Sequence, residues 1–410
     1  MENGLTESTL AEVCSLVTDG THDTPKRVAS GFPLIKAKEI TGGRIDFENC
    51  DQISEEEHLE VIARSKPEFG DTLFAHIGAS LGEAAFVNTT REFSIKNVAL
   101  FKPNPAVIDA RYLYYLVISP AFQSLAKGTK TGSAQPFLGL SQLRGHCIQF
   151  HRDMATQRRI GAILSAYDEL MENSHRRIRH LEAMARALYR EWFVHFRFPG
   201  HEKHPRVASP LGDIPQGWEV RKLADFVTTK YGYTESTNVE PVGPKYLRGM
   251  DINKTSFIDW SEVPYCPISP EDHEAYRLRV GDVVVIRMAD PGKVGIVEQE
   301  VDAVFASYLI RVAPKDSRLS PYFLFYLMES AEYYAFITGA STGTTRKSAS
   351  AGVIAEYQFV LPPPKLVEQF ERRVSEIRSL LTTLLKKTVN LRRTRDLLLP
   401  RLLSGQIHLA

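Results

Sequence analysis

A chain of 410 residues, 43% hydrophobic and 24% charged, has the balance of an ordinary globular protein and room for two or three domains. It contains no run of eighteen apolar residues and opens on no basic-then-apolar leader, which argues against a membrane span or secretion and for the cytoplasm. A net charge of +1 neither demands nor excludes nucleic acid, because local patches decide that. Cys14, Cys50, Cys147 and Cys266, without a Cys-x-x-Cys, read as reduced thiols rather than a disulfide framework or a zinc site.

Residues 1–150 are expected to form a β-rich module. Short apolar runs such as Phe32-Pro33-Leu34-Ile35, Thr72-Leu73-Phe74-Ala75 and Val98-Ala99-Leu100-Phe101 lie between Gly, Asp, Asn and Pro turns, a punctuation that fits strands. Glu55-Glu56-Glu57 reads as a solvated helix start. Ala110 to Ala126, with Tyr112, Tyr115, Leu116 and Phe122, reads as one amphipathic helix. At Arg152 the character changes: Gly and Pro almost vanish and helix formers take over. Over 151–196, Leu164, Tyr167, Met171, Ser174, Ile178, Leu181, Ala185, Leu188 and Trp192 follow steps of three and four, the seam of a coiled coil. Residues 197–217, rich in Pro and Gly, read as a linker. A second β-rich module over 218–361 carries its own helix near Pro321 to Ile337 and stops at Pro362-Pro363-Pro364. Over 362–405 the seam returns as Phe370, Val374, Ile377, Leu381, Leu384, Thr388, Leu391, Arg395, Leu398 and Leu402. Two helices of ~40 residues would each span on the order of 60 Å, longer than one small module covers. They are therefore expected to pack on each other antiparallel, as a spacer with a module at each end. Ser174 and Thr388 are polar seam residues of the kind that fix register.

The layout is written twice. Leu10-Ala11-Glu12-Val13 returns as Leu223-Ala224-Asp225-Phe226, Phe69-Gly70-Asp71-Thr72-Leu73 as Val280-Gly281-Asp282-Val283-Val284, and Tyr112-Leu113-Tyr114-Tyr115 as Tyr322-Phe323-Leu324-Phe325. A period of about 210 residues is a duplicated domain rather than a solenoid unit. The expected fold is α+β: two β-rich modules, two long antiparallel helices and an internal pseudo-twofold repeat.

Enzyme chemistry is not encoded in any motif. The Pro-Pro run at Leu361-Pro362-Pro363-Pro364 lacks the polar residue and aromatic of an amino-methyltransferase loop and reads as a helix breaker. No Gly-x-x-x-x-Gly-Lys-Ser/Thr is present. His201-Glu202-Lys203-His204 is one residue short of placing both imidazoles on one helix face and lies between prolines.

Four stretches carry a resemblance. Asp19-Gly20-Thr21-His22-Asp23-Thr24-Pro25 and Gly212-Asp213-Ile214-Pro215-Gln216-Gly217-Trp218 look like domain openings. Gln157-Arg158-Arg159-Ile160-Gly161-Ala162-Ile163-Leu164, running to Trp192-Phe193, and Leu397-Leu398-Leu399-Pro400-Arg401-Leu402-Leu403-Ser404-Gly405 look like the paired helices. In this order the chain resembles the DNA-specificity subunit of type I restriction–modification systems over essentially its full length. The resemblance implies a non-catalytic protein whose two target-recognition domains each contact half of a split DNA site. It also implies helices that set the gap and dock modification subunits, two of them, with restriction subunits joining through those. S-adenosylmethionine, ATP and Mg are then expected only in the partner subunits, and this chain would hold no cofactor. The competing readings are a coiled-coil scaffold that reads no DNA and a self-contained methyltransferase or nuclease with an unrecognised site.

Candidate DNA contacts fall in groups. Two Gly/Thr/Ser loops correspond: Lys127, Thr129, Lys130 and Gln135 in one, Thr344, Arg346 and Lys347 in the other. Glycine permits close backbone approach, hydroxyls donate to phosphate, Lys and Arg neutralise it, and Gln or Arg can reach base edges. The opening loop offers Thr21, His22, Thr24 and Lys26, and its counterpart offers Lys230, Tyr231 and Tyr233. Lys36 and Lys38 stand against Arg248, with Arg287 and Lys293 also in the second module. The helix positions expected to form the spacer and meet partners are Leu164, Tyr167, Met171, Ile178, Leu181, Leu188, Trp192, Val374, Ile377, Leu381, Leu384, Leu391 and Leu398.

Overall fold

A computed structural model describes residues 4–129, 137–253, 255–341 and 347–409. The chain divides into two compact units: Met1–Ser174 together with Lys386–Ala410, and His175–Leu385. Each unit is one β-rich module plus a portion of both long helices.

In unit 1 a four-stranded antiparallel sheet runs in the order Cys14–Asp19, Ala99–Pro103, Thr72–Phe74, Ala84–Phe86. Successive side chains of a strand face opposite ways, and both faces here are covered. Phe74, Ala99 and Phe101 pack on the helical side with Tyr112, Leu113 and Phe122. Leu73, Ala85 and Leu100 pack on the other side with Ile35, Ile40, Phe93 and Ile95. That second layer is built on Phe32–Lys36 pairing in parallel with Ser94–Lys96, extended by Asp51–Ile53 and Arg27–Val28. Leu5–Thr9 pairs antiparallel with Cys147–His151 and brings the two ends of the module together.

Unit 2 repeats the scheme. Its four-stranded sheet runs Val227–Tyr231, Leu309–Pro314, Val283–Ile286, Val294–Ile296. Lys245–Leu247 pairs in parallel with Ala303–Phe305, and Glu219–Lys222 pairs antiparallel with Gln358–Leu361. The duplication seen in the sequence is thus a duplication of strand order.

The single helix expected over Ala110 to Ala126 is two helices, Ala110–Ile118 and Pro120–Thr129. Ser119 is extended (φ −66°, ψ 150°), as the residue before a proline must be, and its hydroxyl accepts from the Phe122 amide. The second module breaks likewise into Pro321–Glu329 and Ala331–Ala340, where Ser330 caps the Tyr333 amide. Residues 197–217, expected as a plain linker, hold a 3₁₀ turn at His201–Lys203 and a hairpin of Arg206–Ser209 with Gly212–Pro215. Gly212, at φ +93°, supplies the left-handed residue this hairpin needs.

The long helices are Met154–Tyr189, ending in a π turn at Arg190–Val194, and Pro364–Leu403. Within unit 1, Ile160 and Leu164 share a core with Leu399, Leu402 and Leu403, and Asp168 pairs with Arg395. Within unit 2, Tyr189 and Trp192 meet Phe370, while Ile178 meets Leu381 and Leu384. In both units rising numbers on one helix meet falling numbers on the other, so the pairing is antiparallel. Leu164, Met171, Ile178, Trp192, Val374, Leu381 and Leu384 are buried; Tyr167, Leu181, Leu188, Ile377, Leu391 and Leu398 are half-buried. Near the C-terminus the fully packed leucine is Leu399 rather than Leu398.

Candidate nucleic-acid interface

The recognition candidates of unit 1 gather where the strand Cys14–Asp19 ends. Gly20 lies so close to Ile95 that a Cβ there would overlap the Ile95 carbonyl, which draws the opening loop onto the turn after Ser94–Lys96. Thr21 bridges to Lys96, and Lys36 is the register partner of Lys96. Around this point Lys96 Nζ donates to Thr24 Oγ1 at 2.5 Å, and His22 Nδ1 lies 2.8 Å from Asn97 Oδ1. Beneath them Asp19 is buried, pairing with Arg64 and lying 2.9 Å from His22 Nε2. Lys96, Asn97 and Arg64 were not found from sequence; Asn97 holds φ +53°, a conformation Asn tolerates better than most residues, and that was the available signal.

The central strand of this sheet continues into His76. Its carbonyl accepts from the Leu138 amide at 2.9 Å and its Nδ1 donates to the Leu138 carbonyl at 2.8 Å, so His76 anchors the chain leaving the Gly/Thr/Ser loop. His76 Nε2 is buried without a hydrogen bond, 4.0 Å from Asp19 Oδ2, and burial holds the imidazole pKa below its ordinary value. The exposed ring of Phe137 sits 5.7 Å from the His76 ring.

Unit 2 has the same frame with other chemistry. Gly232 lies against the Ala306 carbonyl as Gly20 does against Ile95, and Tyr233 bridges to Ala306. Arg287 occupies the place of His76: its carbonyl accepts from the Ala349 amide at 2.9 Å. Tyr231 occupies the place of Asp19, with the Arg287 guanidinium 4.8 Å from its ring centre and its hydroxyl accepting from the Ala351 amide at 3.0 Å. An Asp–His pair in one unit is therefore a Tyr–Arg pair in the other. Lys347 is exposed, and its carbonyl accepts from the Ala289 amide beside the same turn.

Several candidates are committed within the fold. Lys36 pairs with Asp51, and Lys38 with Glu39 at 3.2 Å. The Lys26 amide donates to Glu57, while its side chain is on an exposed residue. Arg248 forms a forked pair with Asp251 (3.0 and 2.8 Å), which raises its pKa further. Lys293 pairs with Asp290 at 2.8 Å and donates to the Asn253 carbonyl at 3.1 Å. Lys230 faces away from Tyr231, as alternation requires, donating to the Ala275 carbonyl above the Tyr276 ring. Lys130, Gln135, Thr344 and Arg346 lie outside the described residues, as do the side chains of Lys127 and Thr129.

Among the described residues no helix is long and apolar enough to cross a membrane. Residues 215–393 match the type I restriction modification DNA specificity domain. The MjaIX type I restriction enzyme specificity subunit of Methanocaldococcus jannaschii is 23% identical, the match covering 93% of this chain and 91% of that one. The putative MjaX specificity subunit of the same organism is 23% identical over 97% and 92%. In fold, the chain is similar to a type I restriction-modification S subunit from M. genitalium, with a TM-score of 0.58, 14% identity and coverage of 100% and 98%. A duplicated module with equivalent but chemically divergent loop anchors, an antiparallel helix pairing in each unit and relatives of one kind agree: over almost its full length the chain is similar to the DNA-specificity subunits of type I restriction–modification systems, and its residues 215–393 match their DNA specificity domain.

Proposed function

We propose that each module reads one half of a split, asymmetric DNA sequence and that the helix pair is the coiled-coil spacer that fixes the gap between the halves. The observation that carries this reading is the shared frame with divergent contents: Asp19 and His76 in unit 1 stand where Tyr231 and Arg287 stand in unit 2. Two readers of unlike half-sites need the same loop placement and different side chains. Phosphate contacts would come from Thr24 and Lys96 in the first module and Lys347 in the second, with the adjoining Gly/Thr/Ser loops supplying further contacts. Arg287 is suited to guanine, which offers two acceptors in the major groove.

The helices dock two modification subunits, through which restriction subunits join. S-adenosylmethionine, ATP and Mg belong to those partners, and this chain holds none of them. The test is genome-wide mapping of methylated adenines in cells expressing the chain with its partners, before and after residues 1–150 are exchanged for another module. One half of the methylated motif should change; a change in both halves overturns the two-reader model. Neutralising Lys130, Gln135, Arg346 and Lys347 together should abolish sequence-selective binding by the reconstituted methyltransferase. Unchanged selectivity would favour the scaffold reading. Turnover by the purified chain alone with DNA, Mg²⁺ and S-adenosylmethionine would overturn its non-catalytic role.

A further inference from the structure

The two helices carry opposite charges at equivalent places facing their modules. In unit 1, a Cβ on Gly161 would meet the Tyr112 amide nitrogen at 3.4 Å; in unit 2, Glu371 accepts from the Tyr322 amide at 3.2 Å. Gly161 and Glu371 thus hold the same position against the same module helix. Two turns further along each helix stand Asp168 and Arg378.

Asp168 accepts from Tyr115 Oη at 2.5 Å and pairs with Arg395 Nη1 at 2.5 Å. Module 1 therefore meets this carboxylate with a hydroxyl, and the countercharge comes from the other helix. Arg378 is fully buried. Its Nε and Nη2 fork onto Glu298 (2.7 and 2.5 Å), its Nη1 donates to Ser256 Oγ at 3.0 Å, and Nη2 also donates to the Ser256 carbonyl at 2.9 Å. Tyr322 Oη completes the Glu298 carboxylate at 3.0 Å. Module 2 therefore meets this guanidinium with a countercharge of its own.

The module residues differ to match. Phe325, whose ring centre lies 5.5 Å from the Arg378 guanidinium, corresponds to Tyr115. Val87 and Val297 hold the same place, each carbonyl accepting from a glycine amide (Gly70 at 2.9 Å, Gly281 at 2.8 Å), which sets Asn88 opposite Glu298. Placed on Arg378, module 1 would offer Tyr115 and Asn88 in the places of Phe325 and Glu298. Placed on Asp168, module 2 would bring the Glu298 carboxylate against the first, with the Phe325 ring where the Tyr115 hydroxyl donates. A buried charge without its partner is strongly destabilising, whereas a buried pair replaced by apolar groups is often tolerated.

We propose that Asp168 and Arg378 act as an address, deciding which module each helix segment accepts. The inference concerns docking and stands apart from DNA reading. Arg378 is a positioning residue on this account, and Glu298 is the group it selects.

The test uses full-length chimeras in which residues 219–361 are replaced by a second copy of residues 5–151. With Arg378 kept, amides of the grafted helix corresponding to Ala110–Ile118 should exchange with deuterium at least tenfold faster than those of the original copy. Arg378→Met in the same chimera should slow them at least tenfold. Equal exchange in the two chimeras overturns the proposal. In the unaltered chain, Arg378→Met should speed exchange over Pro321–Glu329 at least tenfold, and adding Glu298→Leu should recover most of that loss. Native protection in the Arg378→Met variant also overturns it.

Discussion

Burial of imidazole in unit 1 ties its stability to pH. His58, His76 and His146 are all pushed below their ordinary pKa by burial. The neutral form is favoured in the fold, so their contribution is fully present above about pH 6.5 and is lost as pH falls toward the depressed folded-state values. Asp71, raised by burial, acts in the opposite sense but from the carboxylate range, farther from neutrality. Acidification from about pH 7 to pH 5.5 should therefore lower the protection of the Ala99–Lys102 amides relative to their intrinsic exchange rates. His76→Asn, which keeps a donor for the Leu138 carbonyl and cannot be protonated, should flatten that dependence. Arg287→Gln should lower DNA affinity of the reconstituted complex by about tenfold and relax the base preference at one position of the half-site read by the second module. Arg287 and Tyr231 were each visible in the sequence as candidates, but not as a stacked pair, because cation–ring contact across a sheet leaves no local pattern. The anchoring of Leu138 by His76 joins residues 62 positions apart and needs the fold. The commitments of Arg248 to Asp251 and Lys36 to Asp51 were equally illegible, since a basic residue in a loop looks the same paired or free.

At the scale of elements, strands and long helices were readable because each has a strong period and clear punctuation. The serine breaks were not: Ser119 and Ser330 interrupt runs whose apolar spacing continues across them, and a side-chain cap outcompetes the helical continuation. Along the C-terminal seam Phe370, Val374, Leu381, Leu384, Thr388 and Leu402 are buried, and Ile377, Leu391 and Leu398 half-buried. Arg395 holds a half-buried ionic position there, and Leu399 takes over the packing from Leu398. Arg378 escaped notice because an arginine next to an apolar seam residue is ordinarily a solvated flank. The close approach at Gly20 and Gly232 makes a paired prediction. Alanine at either position drives a Cβ into a backbone carbonyl and should destabilise its own unit by about 3 kcal/mol. Denaturant melts followed by exchange in each module would show the loss confined to the mutated one.

At the scale of the whole molecule, the two units are built differently from the same parts. Unit 2 is continuous in sequence, His175–Leu385, whereas unit 1 joins Met1–Ser174 to Lys386–Ala410. Leu399, Leu402 and Leu403 lie in the core that also contains Ile160, Leu164 and Phe150, and the Leu402 carbonyl is 3.0 Å from His151 Nε2. On a ribosome, unit 2 can therefore be finished while unit 1, begun first, still waits for its closing segment. The earliest-made module must hold an unsealed apolar face through the synthesis of more than half the chain, which is the condition in which aggregation and chaperone capture compete with folding. A chain cut after Leu385 should keep native exchange protection in Val283–Ile286 and lose it in Ala99–Pro103, and the last two dozen residues supplied as a separate peptide should restore it.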